Sequence, residues 1–319
     1  MGLLYGESII ESQQFTEPGV MEEFYKLALH YEKMLTNGER GNCLKGKAVG
    51  MVFYEPSTRT RWSFEAAVRN LSGDYSSTEN AGEFSSAAKG ERLEHSVRVM
   101  SKYVDAIVLR HKENNAAERA RDYLQSFQIR VPIFNAGCGT GQHPTQAKVD
   151  WFTVRKHFGR TSDLRILIVG DVKRGRTARS MFYLFGREPG VSIDICSPVE
   201  LAMDPDILAY GSRHGVPVRT FYQSLDECIA DADVVYMTRV QKERLLEGVS
   251  LDHIDASAFR LTVKRAQAMK ETAIAMHPMP IVDEIEEPVD RLLKSKYFEQ
   301  SDNGVPVRMA LLDMVMCRS

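Results

Sequence analysis

Short apolar runs of strand length recur along almost the whole chain, and the segments between them are long enough for helices. Residues 47–54, 106–109 and 131–134 form such runs in the first half. Residues 165–169, 191–196, 217–221 and 233–237 form them in the second. The run Arg165-Ile166-Leu167-Ile168-Val169 is the clearest, because a strand with no polar alternation is buried on both faces. Strands that alternate with helices pair in parallel, since the crossover helix returns the chain to the same end of the sheet. The pattern therefore predicts an α/β fold of two domains, each a mostly parallel sheet flanked by helices. The 319 residues suit two units of about 150 residues each.

Helices are predicted at 20–36, with Leu27, Leu29, Tyr31 and Leu35 as the apolar stripe and Asn37-Gly38 as its end. Others are predicted at 62–71, burying Phe64, Ala67, Val68 and Leu71, at 115–127, and from His143 to about residue 157. The chain crosses between domains near 163–165. A last apolar helix at 307–317 suits either domain by periodicity alone. Hydrophobic residues are 43%, charged residues 26%, and the formal net charge is -2, so nothing electrostatic favours nucleic acid or an anionic membrane as partner. The five cysteines, Cys43, Cys138, Cys196, Cys228 and Cys317, are scattered and include no C-x-x-C pair. That argues against a disulfide scaffold or zinc knuckle and for a reducing compartment. The first dozen residues carry no signal-peptide pattern, and no apolar run reaches the ~20 residues of a membrane span. A cytoplasmic location is expected.

In open parallel sheets, ligands bind beyond the carboxyl ends of strands, so the residues after each run carry the chemistry. After the first comes Glu55-Pro56-Ser57-Thr58-Arg59-Thr60-Arg61, directly before a helix. Unpaired N–H groups at a helix start favour an anion, three hydroxyls add donors, and an arginine fork matches phosphate. A plain Ser/Thr cap with surface arginines is the competing reading. Arg110-His111 follows the second run. Asn135 to Gln146 follows the third, with Gly137, Gly139 and Gly141 giving a loop able to pass close to a ligand and Pro144 opening a helix. His143 and Gln146, three apart, share a face of its first turn. In the second half, Gly170 to Thr177 lacks dinucleotide-loop glycine spacing, and its Lys173, Arg174 and Arg176 suit a carboxylate or phosphate. Arg239 stands at the end of another strand. In His277-Pro278-Met279-Pro280 two prolines fix the backbone, and its carbonyls could accept from an amine or amide. No metal cluster, nucleophile elbow or catalytic cysteine motif is visible. The residues thus describe a cleft between two α/β domains, one wall for a phosphate and the other for a second anion, with group transfer by direct attack.

These motifs resemble the carbamoyltransferase family: Ser57-Thr58-Arg59-Thr60-Arg61 and His143-Pro144-Thr145-Gln146 look like its two donor signatures. The 171–177 and 238–244 segments, the 103–111 segment, and Ser301-Asp302-Asn303-Gly304 with Arg308 resemble its aspartate-specific members. The likeness runs from about residue 45 to 315. It implies transfer of a carbamoyl group from carbamoyl phosphate to the amine of L-aspartate, early in pyrimidine synthesis. It also implies a carbamoyl-phosphate-binding domain at 1–150, joined by residues 300–319, and an aspartate-binding domain at 151–299. By the same likeness Ser57, Thr58, Arg59 and Thr60 hold the phosphate, with Ser85. Arg110, His143 and Thr60 contact the carbonyl oxygen. Gln146 and the Pro278, Met279 and Pro280 loop hold the amide. Arg176, Arg239, Gln241 and Lys89 take aspartate, with Arg59, Thr60, Lys89, Arg110 and His143 as the catalytic set. Ser85 and Lys89 are expected to come from a neighbouring subunit, making a homotrimer with shared sites, and Glu55 with Arg244 is expected to form an interdomain latch. A regulatory chain or higher assembly is compatible with this; no cofactor or metal is expected. Met279, Ile281, Lys148 and Cys138 depart from the usual family residues without removing a principal ligand. The competing functions are transfer to another amine and a catalytically silent assembly partner.

Overall fold

Each of the two sheets in this computed structural model, which describes residues 3–84, 90–240 and 254–317, is parallel throughout. The elements run α1 (Pro18–Thr36), β1 (Ala48–Phe53), α2 (Thr58–Asn70), β2 (Asp74–Glu79), α3 (Ala81–Phe84), α4 (Leu93–Met100), β3 (Ala106–His111), α5 (Ala116–Ser126), β4 (Ile133–Cys138) and α6 (Pro144–Phe158). They continue with β5 (Arg165–Val169), α7 (Arg176–Phe185), β6 (Ser192–Cys196), α8 (Pro205–Arg213), β7 (Val218–Phe221), β8 (Val234–Met237), α9 (Val263–Ala268), β9 (Ile274–Met276), α10 (Tyr297–Asp302) and α11 (Gly304–Met316). The chain divides into one unit of Met1–Phe152 with Asn303–Ser319, and a second of Thr153–Asp302.

The first unit's sheet has the order β2-β1-β3-β4, and the second's β7-β6-β5-β8-β9. In each, the chain leaves a strand in one direction and later returns to its other side. The strand order therefore reverses between β1 and β3 in one unit and between β5 and β8 in the other. At such a switch point the two flanking crossovers lie on opposite faces of the sheet, which leaves a crevice at the strands' carboxyl ends.

Burial follows the sequence pattern with informative exceptions. Helix α2 buries Phe64, Ala67 and Val68, with Leu71 beneath it. Helix α1 buries Met21, Phe24, Ala28, Tyr31 and Met34, not the expected Leu27, Leu29 and Leu35, which are half-buried. The stripe is thus set by one large residue per turn and completed by a small one, Ala28. Strand β2 has no counterpart among the expected runs. Its sequence Asp-Tyr-Ser-Ser-Thr-Glu alternates between exposed and half-buried at the sheet's edge, so it offers no apolar run to detect. The three-residue β9 and the helix α4 were likewise not among the expected elements. Helix α11 is buried nearly all round and packs against α1 and α2 in the first unit. No helix among the described residues is long and apolar enough to cross a membrane.

Candidate active site

At the β1–α2 junction the plain-cap reading does not hold. Ser57 occupies the N-cap position, yet its side chain caps nothing, and neither its hydroxyl nor that of Thr58 has a partner among the described residues. A plain cap would direct Ser57 Oγ to an N–H of the first turn, so these donors remain available to an incoming anion. The loop is fixed by other means: the Ser57 N–H donates to Glu79 Oε1 at 3.1 Å. Arg61 is drawn away from the helix start, its guanidinium binding Glu65 at 3.0 Å and Glu79 at 3.1 Å. Of the two arginines in the motif, only Arg59 is left to meet an anion. It forms no ion pair among the described residues, and the one influence on its basicity is partial burial, which lowers it.

Thr60 is buried one turn into α2, and its Oγ1 lies 3.3 Å from His143 Nε2. His143 is buried immediately before α6, with Thr145 Oγ1 3.4 Å from its Nδ1. Residues distant in sequence are therefore adjacent because β1 and β4 end on either side of β3. Arg110 lies inside β3 rather than after it, in register with Phe53 of β1. Its Nη1 donates to the Ala136 carbonyl on β4 at 3.2 Å, and Nη2 stands 3.6 Å from Glu55 Oε2. Gln146 is oriented from behind by Asp150, whose Oδ1 accepts from Nε2 at 2.8 Å. The glycine loop differs from expectation. Gly137 lies within β4, and a Cβ at Gly139 would come 2.0 Å from Asn114 Oδ1. The close approach there is made by the chain's own Asn114, which also accepts from the Thr140 N–H.

In the second unit, Arg176 opens α7 after β5, and Arg239 follows β8, so the two flank the β5/β8 switch point. Arg176 is buried and Arg239 half-buried, its Nη1 donating to the Val240 carbonyl at 3.3 Å. The other two cations of the 170–177 loop are placed otherwise. Lys173 is exposed, and Arg174 turns to the fully buried Asp171, which accepts the Arg174 N–H at 3.0 Å. Gly170 permits the arrangement: at φ 105° it passes so near Thr238 that a Cβ would lie 2.2 Å from that carbonyl oxygen. Thr238 in turn donates through N–H and Oγ1 to the Val169 carbonyl, at 2.8 and 2.7 Å.

The loop after β9 is held by side chains that sequence reasoning missed. His277 is buried, and its Nδ1 accepts the Met279 N–H at 2.8 Å. The ring proton therefore sits on Nε2, which stands 2.6 Å from Glu284 Oε1. Glu284 Oε2 accepts from the N–H groups of Val282 and Asp283. Burial works against the Glu284 charge, but His277 and the backbone N–H groups of Glu284 and Asp283 outweigh it and hold the carboxyl below its usual range. Pro278, Met279 and Pro280 are thereby fixed, with Met279 in the left-handed region at φ 61°. Glu79, Asp150 and Glu284 carry no motif of their own; each acts through a partner that only the fold brings near. Of the expected site residues, Ser85, Lys89 and Gln241, and the latch residue Arg244, lie outside the described residues.

Two family models match the chain in succession. Residues 8–156 match the carbamoyl-P binding domain of aspartate/ornithine carbamoyltransferases, and residues 162–315 match their Asp/Orn binding domain. The chain belongs to the aspartate/ornithine carbamoyltransferase family. Aspartate carbamoyltransferase 2, chloroplastic, of Pisum sativum is 41% identical over 310 residues, which is 97% of this chain and 79% of that protein. The aspartate carbamoyltransferase catalytic subunit of Methanothermobacter thermautotrophicus is 39% identical over 97% of this chain and 96% of its own. Aspartate transcarbamoylase from Trypanosoma cruzi, solved in complex with carbamoyl phosphate, superposes with a TM-score of 0.92 at 33% identity, covering 99% of this chain and 98% of that one. The same enzyme in complex with N-(phosphonacetyl)-L-aspartic acid gives 0.90 at 32% identity, with 99% and 98% covered.

Proposed function

We propose that the chain is an aspartate carbamoyltransferase, transferring the carbamoyl group of carbamoyl phosphate to the amine of L-aspartate and releasing phosphate. The observation that carries the reading is the donor set of Ser57, Thr58 and Arg59, uncommitted among the described residues, at the β1/β3 switch point, beside the buried Thr60–His143 pair. Phosphate is taken by the first three and the α2 N–H groups. The carbonyl oxygen of the donor meets Thr60, Arg110 and His143, with Gln146 and the carbonyls of the 278–280 loop assigned to its amide. Arg176 and Arg239 take the two carboxylates of aspartate. These assignments rest on the family likeness together with the placements above. Relatives named for this activity, and solved relatives with carbamoyl phosphate or with aspartate bound, support them.

The chemistry follows from where charge appears. The neutral amine attacks the carbamoyl carbon, the C–N bond forms, and negative charge grows on the carbonyl oxygen. Prefixed donors there cost no reorganisation, and one is worth about 3 kcal/mol. The C–O bond to phosphate then breaks, with Arg59 meeting the leaving charge, and the departing phosphate is available to accept the amine proton. Holding both substrates at once supplies several kcal/mol more by proximity.

We further propose a homotrimer in which Ser85 and Lys89 complete a neighbouring subunit's site. The support is the family likeness and the exposed Trp62 of α2, which sits beside the donor set and offers an apolar face to a partner. We place the protein in the cytoplasm; all five cysteines are unpaired, which suits a reducing compartment. The deciding experiment measures N-carbamoyl-L-aspartate formation, with ornithine and putrescine as rival acceptors and Arg59→Ala and Arg239→Ala as controls. Product with aspartate alone, diminished in both variants, is expected. Turnover of a rival acceptor instead, or none with any acceptor, refutes the reading.

A further inference from the structure

Outside the proposed site, one cluster joins the two ends of the first unit. The Sγ atoms of Cys43 and Cys317 and a carboxylate oxygen of Asp313 lie within 4.8 Å of one another. Cys43 precedes β1, Asp313 is on α11, and Cys317 follows it directly. Around a tetrahedral zinc ion, with Zn–S of about 2.3 Å and Zn–O of about 2.1 Å, ligand atoms stand roughly 3.5–3.8 Å apart. The three side chains therefore need to close by only about 1 Å to share an ion. Sequence reasoning could not find them, because Asp313 and Cys317 alone make no metal-site pattern and Cys43 lies far away in sequence.

We propose that Cys43, Asp313 and Cys317 bind a divalent ion of the zinc class, with water in the fourth position, as a clamp of α11 onto the start of the first sheet. Two thiolates and one carboxylate select a borderline-soft cation over magnesium or calcium. The surroundings are those of a metal site. Tyr31, buried on α1, donates to Asp313 Oδ2 at 2.6 Å and so orients the carboxylate. The ammonium of Lys47 donates to the Met316 carbonyl beside the cluster. Its charge and that of the ion together balance the three anionic ligands. Cys317 Sγ now lies 3.2 Å from the Cys43 carbonyl, so ion binding exchanges that hydrogen bond for coordination and releases the two thiol protons.

The test titrates reduced full-length protein with cobalt(II). One equivalent per chain is expected, with sulfur-to-cobalt charge-transfer absorption and tetrahedral d–d bands. The charge-transfer band should weaken in Cys43→Ser and Cys317→Ser, and affinity should fall at least tenfold in Asp313→Asn and in Tyr31→Phe. Carbamoyl transfer should be unchanged in all four. In the unmutated protein, zinc should slow alkylation of Cys43 and Cys317 at least tenfold relative to Cys138, a readout independent of any variant's folding. Absence of the sulfur band, binding undiminished in Cys43→Ser, or alkylation indifferent to zinc overturns the proposal. So does a Cys43–Cys317 disulfide that persists under reductant.

Discussion

Replacing Glu284 by alanine removes the carboxylate that stands 2.6 Å from the buried Nε2 of His277, and with it two hydrogen bonds from the backbone N–H groups of Val282 and Asp283. The last two residues are exposed, so water takes over there. His277 is only 1% exposed, and no solvent reaches its ring. The cost is therefore that of losing one buried polar contact, about 1–3 kcal/mol. For a unit of this size 1 kcal/mol shifts Tm by about 2–4 °C, so a fall of roughly 2–12 °C is expected by calorimetry. The Met279 N–H rests on the same ring, so the 278–280 loop loosens and KM for carbamoyl phosphate rises several-fold, with less change for aspartate. Glu284→Gln keeps an acceptor and should recover most of both losses. The Glu284 carboxyl titrates below its usual value in the folded chain, so its contribution is complete above the unfolded value of about 4.3 and is lost as pH falls through the folded one. The stability gap between parent and Glu284→Gln should accordingly narrow below about pH 4. Alanine within 0.5 kcal/mol of the parent, or glutamine as damaging as alanine, would refute the reasoning.

Ser57→Ala should leave Tm within about 1 °C, unlike an ordinary cap worth about 1 kcal/mol, while raising KM for carbamoyl phosphate; a clear Tm loss would restore the capping role. Arg59→Ala should weaken carbamoyl phosphate by about 10–100-fold and Arg239→Ala should do the same for aspartate, as expected for losing a charge-assisted contact; initial-rate kinetics with each substrate varied separate the two. Gly170→Ala drives a methyl group into the Thr238 carbonyl at 2.2 Å from a backbone already at φ 105°, so it should cost more than about 3 kcal/mol and displace the segments bearing Arg176 and Arg239, read by denaturant unfolding and aspartate KM.

What could be read in advance depended on whether a residue's meaning was local. Strands β5 and β8 declare themselves because unbroken apolar residues need two covered faces, and the residues after them are then placed at strand ends. Thr60 and His143 could be singled out separately, but their 3.3 Å contact depends on β1 and β4 flanking β3, an order no local pattern encodes. Strand β2 was invisible because an edge with one side in solvent has no need of apolar residues. The face of α1 was misread because leucines weigh more in a periodicity than Ala28, although Ala28 is fully buried. Arg174 looked like a ligand for a substrate anion until Asp171 appeared as its partner. Glu284 matters through a histidine seven positions away across a turn, a relation that spacing alone leaves open.

The return of α11 to the first unit, across the whole of the second, has a temporal consequence. Helices α1 and α2 emerge from the ribosome before the second unit, but α11, which packs on them, emerges after it. The second unit has all its strands synthesised before that helix exists, so it is free to mature while the first still shows a wet apolar flank. Nascent chains, and any product truncated before residue 304, therefore expose the surfaces of α1 and α2 on which α11 packs. The stage of synthesis most prone to aggregation is thus set by a helix made only after the whole second unit.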